Sequence, residues 1–382
     1  MSLSSSLLIL SLLCTFQGTT SLPKIGVTYS SPSVPTTVRT IISTSPPPAA
    51  DQPPSPDRIA AVINNLGLPA VRLPDSDPSM VRAFSYTNTS LLLSIPNLLV
   101  PLLAANRSLA LRWVYRHVLP FHPRSKISLI SVGNDAVSSS PDVSSYLLPA
   151  VRNLHLALRD LGIRKVPVSS TFSFFSTITT AFPPSSALFQ QPVGDLIIKP
   201  LLQFLEDTNS SFLINIYPYN MYRLNAEIPI GFALFQEHPF NFRDDLITGV
   251  RYRNLFDMMV DAVISAMAVA GYQNVPVVVA ETGWPSSSPD PGEVDATPFY
   301  AEMYLKGLVG HLRSGLGTPL RKEGITEAYI YELVDKDWKQ GTRNWGILYQ
   351  NTTKKYNIEY SGVSRIGWFR GILIAIFLMG LF

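Results

Sequence analysis

Cysteine is nearly absent from this chain: Cys14 is its only one. That argues against thiol catalysis, cysteine-built metal centres and a disulfide framework. Histidine is also scarce, and the five present include no pair at a metal-ligand spacing such as His-x-x-x-His. His117 and His122 flank Leu119-Pro120-Phe121 and read as loop residues. Neither a Gly-x-Ser-x-Gly elbow nor a Walker loop occurs, so serine-hydrolase and nucleotide-phosphate chemistry find no foothold. Charge of one sign is lacking too: the net charge is +3, without basic blocks, which gives nucleic acid nothing to bind. No apolar run reaches the roughly 20 residues of a membrane-spanning helix.

What is present is a 382-residue chain, 46% hydrophobic, long enough to bury a large core without disulfides. Its 32 prolines are spread as punctuation and form no single tract. Both ends read as processing signals. Leu7 to Cys14 is apolar apart from Ser11, and the small residues between Gly18 and Ser21 offer a cleavage point, so residues 1–21 are expected to be a secretory signal. Gly371 to Phe382 is apolar to the last residue, with Arg365 and Arg370 in a spacer and Ser361-Gly362 upstream. That is the layout of a glycolipid-anchor signal over 361–382, with Ser361 as the anchored residue; a tail anchor is the alternative. Acceptor triplets for N-glycosylation begin at Asn88, Asn106, Asn209 and Asn351 and fit a secreted chain.

Between these ends, strand and helix patterns alternate through 22–360. The expected strands are 24–29, 70–73, 91–95, 127–132, 166–170, 212–217, 277–281 and 327–331. Helical patterns lie between them, among them 55–66, 79–84, 97–117, 143–161, 195–205 and 255–270, with 298–314 before the last strand. Ser55-Pro56-Asp57 is a strong helix start, combining a hydroxyl cap, a first-turn proline and an acid at the positive end of the dipole. Eight strands alternating with helices, with no linker between halves, predict a single-domain α/β fold, a (β/α)₈ barrel. A doubly wound sheet is the alternative, but it would place a Gly-rich turn after the first strand, where Tyr29-Ser30-Ser31-Pro32 stands.

The seventh of these strands organises the rest. Val277-Val278-Val279-Ala280 reads as a strand buried on both faces, and it delivers Glu281 into the turn Thr282-Gly283-Trp284-Pro285. A lone carboxylate there is costly unless it is paired or used. It is either satisfied by a neighbouring arginine or backbone amides, or it is catalytic. Barrel function sits where strands end, and the other polar strand ends are Asn134-Asp135 and Tyr217-Pro218-Tyr219-Asn220. Two carboxyls at a barrel rim, with Tyr217, Tyr219 and Trp284 to stack on sugar rings, point to glycoside hydrolysis. A carboxyl separation of about 5–5.5 Å would mean retention of configuration. Each aromatic taken singly is more often an ordinary core residue, and it is their clustering at strand ends that points to a cleft.

At this point the chain resembles a known family. Val278-Val279-Ala280-Glu281-Thr282-Gly283-Trp284-Pro285-Ser286 is similar to the signature of family 17 glycoside hydrolases, the plant-type glucan endo-1,3-β-glucosidases. Ile25-Gly26-Val27, Leu147-Leu148-Pro149-Ala150, Asn215-Ile216-Tyr217-Pro218-Tyr219 and Gly317-Thr318-Pro319-Leu320 extend the resemblance over most of 24–360. It implies a (β/α)₈ barrel that cleaves 1,3-β-glucan with retention, without cofactor or metal. Glu281 would be the nucleophile, and Asn134 would position sugar hydroxyls. The chain would be a monomer at the outer face of the plasma membrane or in the cell wall.

The departures from the family pattern are specific. Where the family carries its acid in Val-Gly-Asn-Glu, this chain has Val132-Gly133-Asn134-Asp135, so the expected proton donor is one methylene short. A misplacement of that order, roughly 1 Å, can cost about a hundredfold in rate. Arg72-Leu73-Pro74-Asp75 lacks a cleft tyrosine that the family usually has. Val334-Asp335-Lys336 puts a cation where the family has an acid, and Glu332 stands where a small residue is usual, offering a substitute acid. These changes keep a second reading open, a β-glucan-binding surface protein on a hydrolase scaffold.

Overall fold

The barrel strands are short and largely buried, and most are apolar, as strands covered on both faces tend to be. The computed structural model describes residues 22–31, 54–336 and 341–361. In chain order its strands are β1 (Lys24–Thr28), β2 (Ala70–Leu73), β3 (Ser90–Ile95), β4 (Lys126–Asn134), β5 (Val168–Ser173), β6 (Phe212–Asn215), β7 (Arg243–Asp245), β8 (Val250–Tyr252), β9 (Val277–Thr282) and β10 (Glu327–Ile330). Eight of them close a barrel in the order β1-β10-β9-β6-β5-β4-β3-β2, every pairing parallel. β7 and β8 form a separate antiparallel hairpin in the long connection between β6 and β9. The expected (β/α)₈ architecture is therefore the one observed.

The helices that matter for the site are α1 (Pro56–Asn65), α2 (Pro78–Ala83), α3 (Val100–Ala105), α4 (Arg107–His117), α5 (Leu147–Asp160), α6 (Lys199–Asp207), α7 (Pro218–Leu224), α8 (Leu255–Val269) and α9 (Pro298–Ser314). Their starts follow local chemistry. Ser55 accepts from the Arg58 amide at α1, and Thr297 accepts from the Tyr300 amide at α9, each with proline at the first helical position. Gly315, at φ +67°, ends α9 in the left-handed conformation that glycine adopts at least cost. The expected helix over 97–117 is broken at Asn106, whose extended backbone and side-chain cap on the Ser108 amide start α4 afresh. The expected helix from 143 begins only at Leu147, after a short turn at Pro141–Ser144.

Two cores result. Ala70, Leu92, Leu129, Leu213, Val278, Ala280 and Tyr329 fill the barrel lumen. The larger core lies between the strands and the helical layer. Gly26 makes the lumen possible, since a Cβ there would meet the Tyr329 ring at 2.6 Å. Register shifts occur where β4 meets β5, β6 meets β9 and β9 meets β10, near the ends that carry Asn134, Asn215 and Glu281. Such bulges re-aim side chains, and here they sit at the mouth. No helix among the described residues is long and apolar enough to cross a membrane. The expected secretory signal (1–21) lies outside the described residues, as does all of the expected anchor signal (361–382) except Ser361.

Candidate active site

Glu281 stands on β9 at the mouth of the barrel, 8% exposed, and three side chains from three other strands or their ends converge on it. Arg72, wholly buried on β2, donates to Oε1 from its guanidinium. Asn134, the last residue of β4, donates to the same oxygen at 3.4 Å. Tyr217, just beyond β6, donates its hydroxyl to Oε2 at 2.7 Å. Burial first, and then the adjacent Glu281 carboxylate, hold the Tyr217 phenol well above its ordinary range, so it stays a donor. Of the alternatives open for Glu281, the arginine partner is the one observed.

Asn134 is itself fixed from two sides. Its amide donates to Asn97 Oδ1 at 2.8 Å, Asn97 Nδ2 returns a bond to the Asn134 carbonyl at 3.0 Å, and Asn215 donates to Asn134 Oδ1 at 3.0 Å. Gly133 permits this approach: at φ +76°, any Cβ would meet Asn97 Oδ1 and Leu147 at 3.0 Å. Asn97 and Asn215 were not singled out as site residues from sequence, because a lone asparagine carries no signal until the fold pairs it.

Asp135 follows in the left-handed region, at φ 47° and ψ 41°, a conformation aspartate tolerates better than most residues. Its amide donates to the Thr171 carbonyl at 2.9 Å. Its carboxylate accepts from Ser138 at 2.6 Å and from Ser176 at 2.9 Å, one hydroxyl on each oxygen. Glu281 is held by barrel strands, whereas Asp135 is held by its own helical turn and by a second helical turn, Phe174–Thr177, that follows β5.

The aromatic expectations divide. Tyr217 is in the site. Trp284 and Tyr219 are not open stacking faces: they are 1% and 0% exposed, so neither ring can lie on a sugar. Trp284 donates to the Asp295 carbonyl at 2.9 Å and packs against Tyr219, Tyr222 and Tyr304, while Tyr219 donates to Glu293 at 2.9 Å. They form the floor under the rim. The half-buried Trp345, overlooked from sequence, takes the open position, with its ring 5.2 Å from Tyr217 and 6.1 Å from Tyr331.

Trp345 and Tyr331 also line a cavity of about 530 Å³ with Arg223, Glu293, Glu332, Lys336 and Arg343 among its other walls. That is a size common for small-ligand sites. Glu281 is not in its wall; Tyr217, which touches Tyr331, Trp345 and Glu281, links the two. Arg223 and Arg343 both pair with Glu293. Burial opposes ionisation of Glu293, but the Arg343 and Tyr219 hydrogen bonds outweigh it and hold its carboxyl at about 2. Away from the cleft, Asn88, Asn106, Asn209 and Asn351 are all exposed, and Ser361 rests against Gly67.

The family model described as glycosyl hydrolases family 17 matches residues 48–360. Glucan endo-1,3-beta-glucosidase 12 of Arabidopsis thaliana is 35% identical over 318 residues, covering 82% of this chain and 59% of its own length. Glucan endo-1,3-beta-glucosidase 3 of the same plant is 36% identical over 319 residues, covering 82% and 63%. The chain therefore spans about three-fifths of these relatives. Among solved structures, a β-1,3-glucanase and allergen of Cryptomeria japonica pollen superimposes with a TM-score of 0.78 at 29% identity, over 88% of this chain and 99% of that one.

Proposed function

The chain belongs to glycosyl hydrolases family 17, and from that premise we propose that it hydrolyses internal 1,3-β-glucosidic linkages of 1,3-β-glucan with retention of configuration. The observation that carries this reading is Glu281, an almost buried carboxylate held at a barrel mouth by Arg72, Tyr217 and Asn134. Such a carboxylate is oriented, and its charge is compensated, before substrate arrives.

In the first step a Glu281 oxygen attacks the anomeric carbon as the glycosidic C–O bond breaks, and Asp135 delivers its proton to the departing oxygen. In the second step Asp135 takes a proton from water, and the resulting hydroxyl displaces Glu281 from the anomeric carbon. Tyr217 and Arg72 keep their hydrogens throughout and compensate the carboxylate's changing charge. Trp345 provides the ring on which a glucose unit stacks. Asp135, short by one methylene and engaged by two serines, is the slower partner.

The same reading places the chain outside the cell as a monomer, glycosylated at exposed asparagines and tethered by a glycolipid at Ser361. The order of small residues, basic spacer and apolar tail supports the tether. Release from membranes by a phosphoinositide-specific phospholipase tests it, and resistance counts against it. The activity is tested by hydrolysis of a linear 1,3-β-glucan by wild type and Glu281→Ala. A wild type no faster than Glu281→Ala removes the enzyme reading, and oligosaccharide affinity without turnover would leave a binding protein.

A further inference from the structure

We propose that Glu332 is a substrate-binding residue: its carboxylic acid, set in the cavity wall beside Tyr331 and Trp345, donates a hydrogen bond to a hydroxyl of a bound glucan unit. This rests on the reading of the chain as a protein that acts on 1,3-β-glucan.

Glu332 follows β10, and its backbone is stitched down on every side. Its amide donates to the Trp345 carbonyl at 3.2 Å, and its carbonyl accepts from Ile347 at 2.9 Å. The flanking amides of Tyr331 and Leu333 bind the Thr282 and Thr28 carbonyls at 2.8 and 2.9 Å. A residue so fixed cannot swing its side chain out to water by moving the main chain. The side chain is 4% exposed, yet it lines the cavity. One oxygen, Oε2, faces Lys336 Nζ at 3.4 Å; the other, Oε1, is buried and has no hydrogen-bond partner among the described residues. Buried polar atoms rarely stay unpartnered, and one that does so in a cavity wall calls for a completing partner such as a ligand or water. A glucose hydroxyl seated on Trp345 is such a partner once the carboxyl rotates to bring that oxygen to the cavity.

The donor role needs a proton on the acid. Burial is the main influence and pushes the Glu332 carboxyl up to about 7; Lys336 pulls the other way, while Glu281 and Asp335 add repulsion. Among the described residues, the remaining charges on the cavity wall are Asp290 and Glu293 with its two partners, Arg223 and Arg343. Below about pH 7 the O–H is present; above it the ionised group turns to Lys336 and the donor is lost. Affinity for glucan therefore falls as pH rises through neutrality.

The test uses a five-unit 1,3-β-glucan oligosaccharide and calorimetry in a Glu281→Gln background, which prevents turnover. Removing the Glu281 charge lowers the midpoint without abolishing it, because burial is the larger cause. From pH 5.5 to 8.5 the Kd should weaken about tenfold, the order expected for one hydrogen bond to such a group. Adding Glu332→Gln keeps an N–H donor at every pH and should flatten the curve near the tight end. Adding Glu332→Ala should flatten it near the weak end. A flat curve in the background variant, tightening with rising pH, no binding at any pH, or a Glu332→Ala protein that binds as tightly as its parent at pH 5.5 would each overturn the assignment. Because binding is measured apart from turnover, an inactive wild type whose Glu281→Gln form shows this pH dependence would refute only the hydrolase reading.

Discussion

The two carboxylates at the barrel mouth are held in opposite ways. Glu281 is gripped by donors from β2, the end of β4 and the residues just after β6, so its position is a property of the closed barrel. Asp135 is gripped by Ser138, three residues along its own turn, and by Ser176 from the short helical turn after β5. The first arrangement survives local change because several strands would have to move together. The second depends on two hydroxyls and one short side chain. Precision in this site is therefore distributed unevenly, and activity should respond differently when each side is disturbed.

Arg72→Met gives the largest expected effect, because it leaves the Glu281 charge buried without its ion pair. Breaking a buried pair costs about 3–5 kcal/mol, so chemical denaturation should show a loss of that order together with loss of hydrolysis. A stability unchanged from wild type would mean that the pair contributes nothing to the Glu281 wall. Asp135→Glu comes next, in the opposite direction. Restoring the methylene should raise kcat by up to about a hundredfold, with a stability loss of about 1 kcal/mol because glutamate tolerates the left-handed backbone at this position less well than aspartate; a fall in kcat would show that the local geometry has adapted to aspartate. Tyr217→Phe removes one hydrogen bond to a charged carboxylate and should lower kcat/KM by about tenfold or more. Ser176→Ala is the smallest, a change of a few-fold in rate that comes from one hydroxyl on Asp135. If Ser176→Ala outweighed Tyr217→Phe, the contrast between a rigid and an adjustable wall would be reversed.

The barrel was legible because most strands are short apolar runs and several of the helices between them carry their own start or stop. Pro298–Ser314 matched to the residue, since Thr297, Pro298 and Gly315 each act locally. The hairpin of β7 and β8 was not legible: Arg243–Asp245 is three charged residues, without apolar alternation to announce a strand. Within the site, Glu281 could be read from its strand and turn, but the direction of an aromatic ring could not. Trp284 lies three residues beyond Glu281 and points into the floor, while Trp345, far along the chain, reaches the opening. Arg72 stood in view as part of a motif, but its partner was hidden, because the ion pair exists only once β2 and β9 face each other across a closed barrel.

The most direct test of the nucleophile is to trap it. A 1,3-linked oligosaccharide carrying 2-deoxy-2-fluoroglucosyl fluoride at its reducing end slows the second step more than the first and lets the covalent intermediate accumulate. Peptide mapping by mass spectrometry should place the single adduct on Glu281. An adduct on Glu332 or Asp135, or turnover of the natural glucan with inversion and no adduct at all, would contradict the assignment.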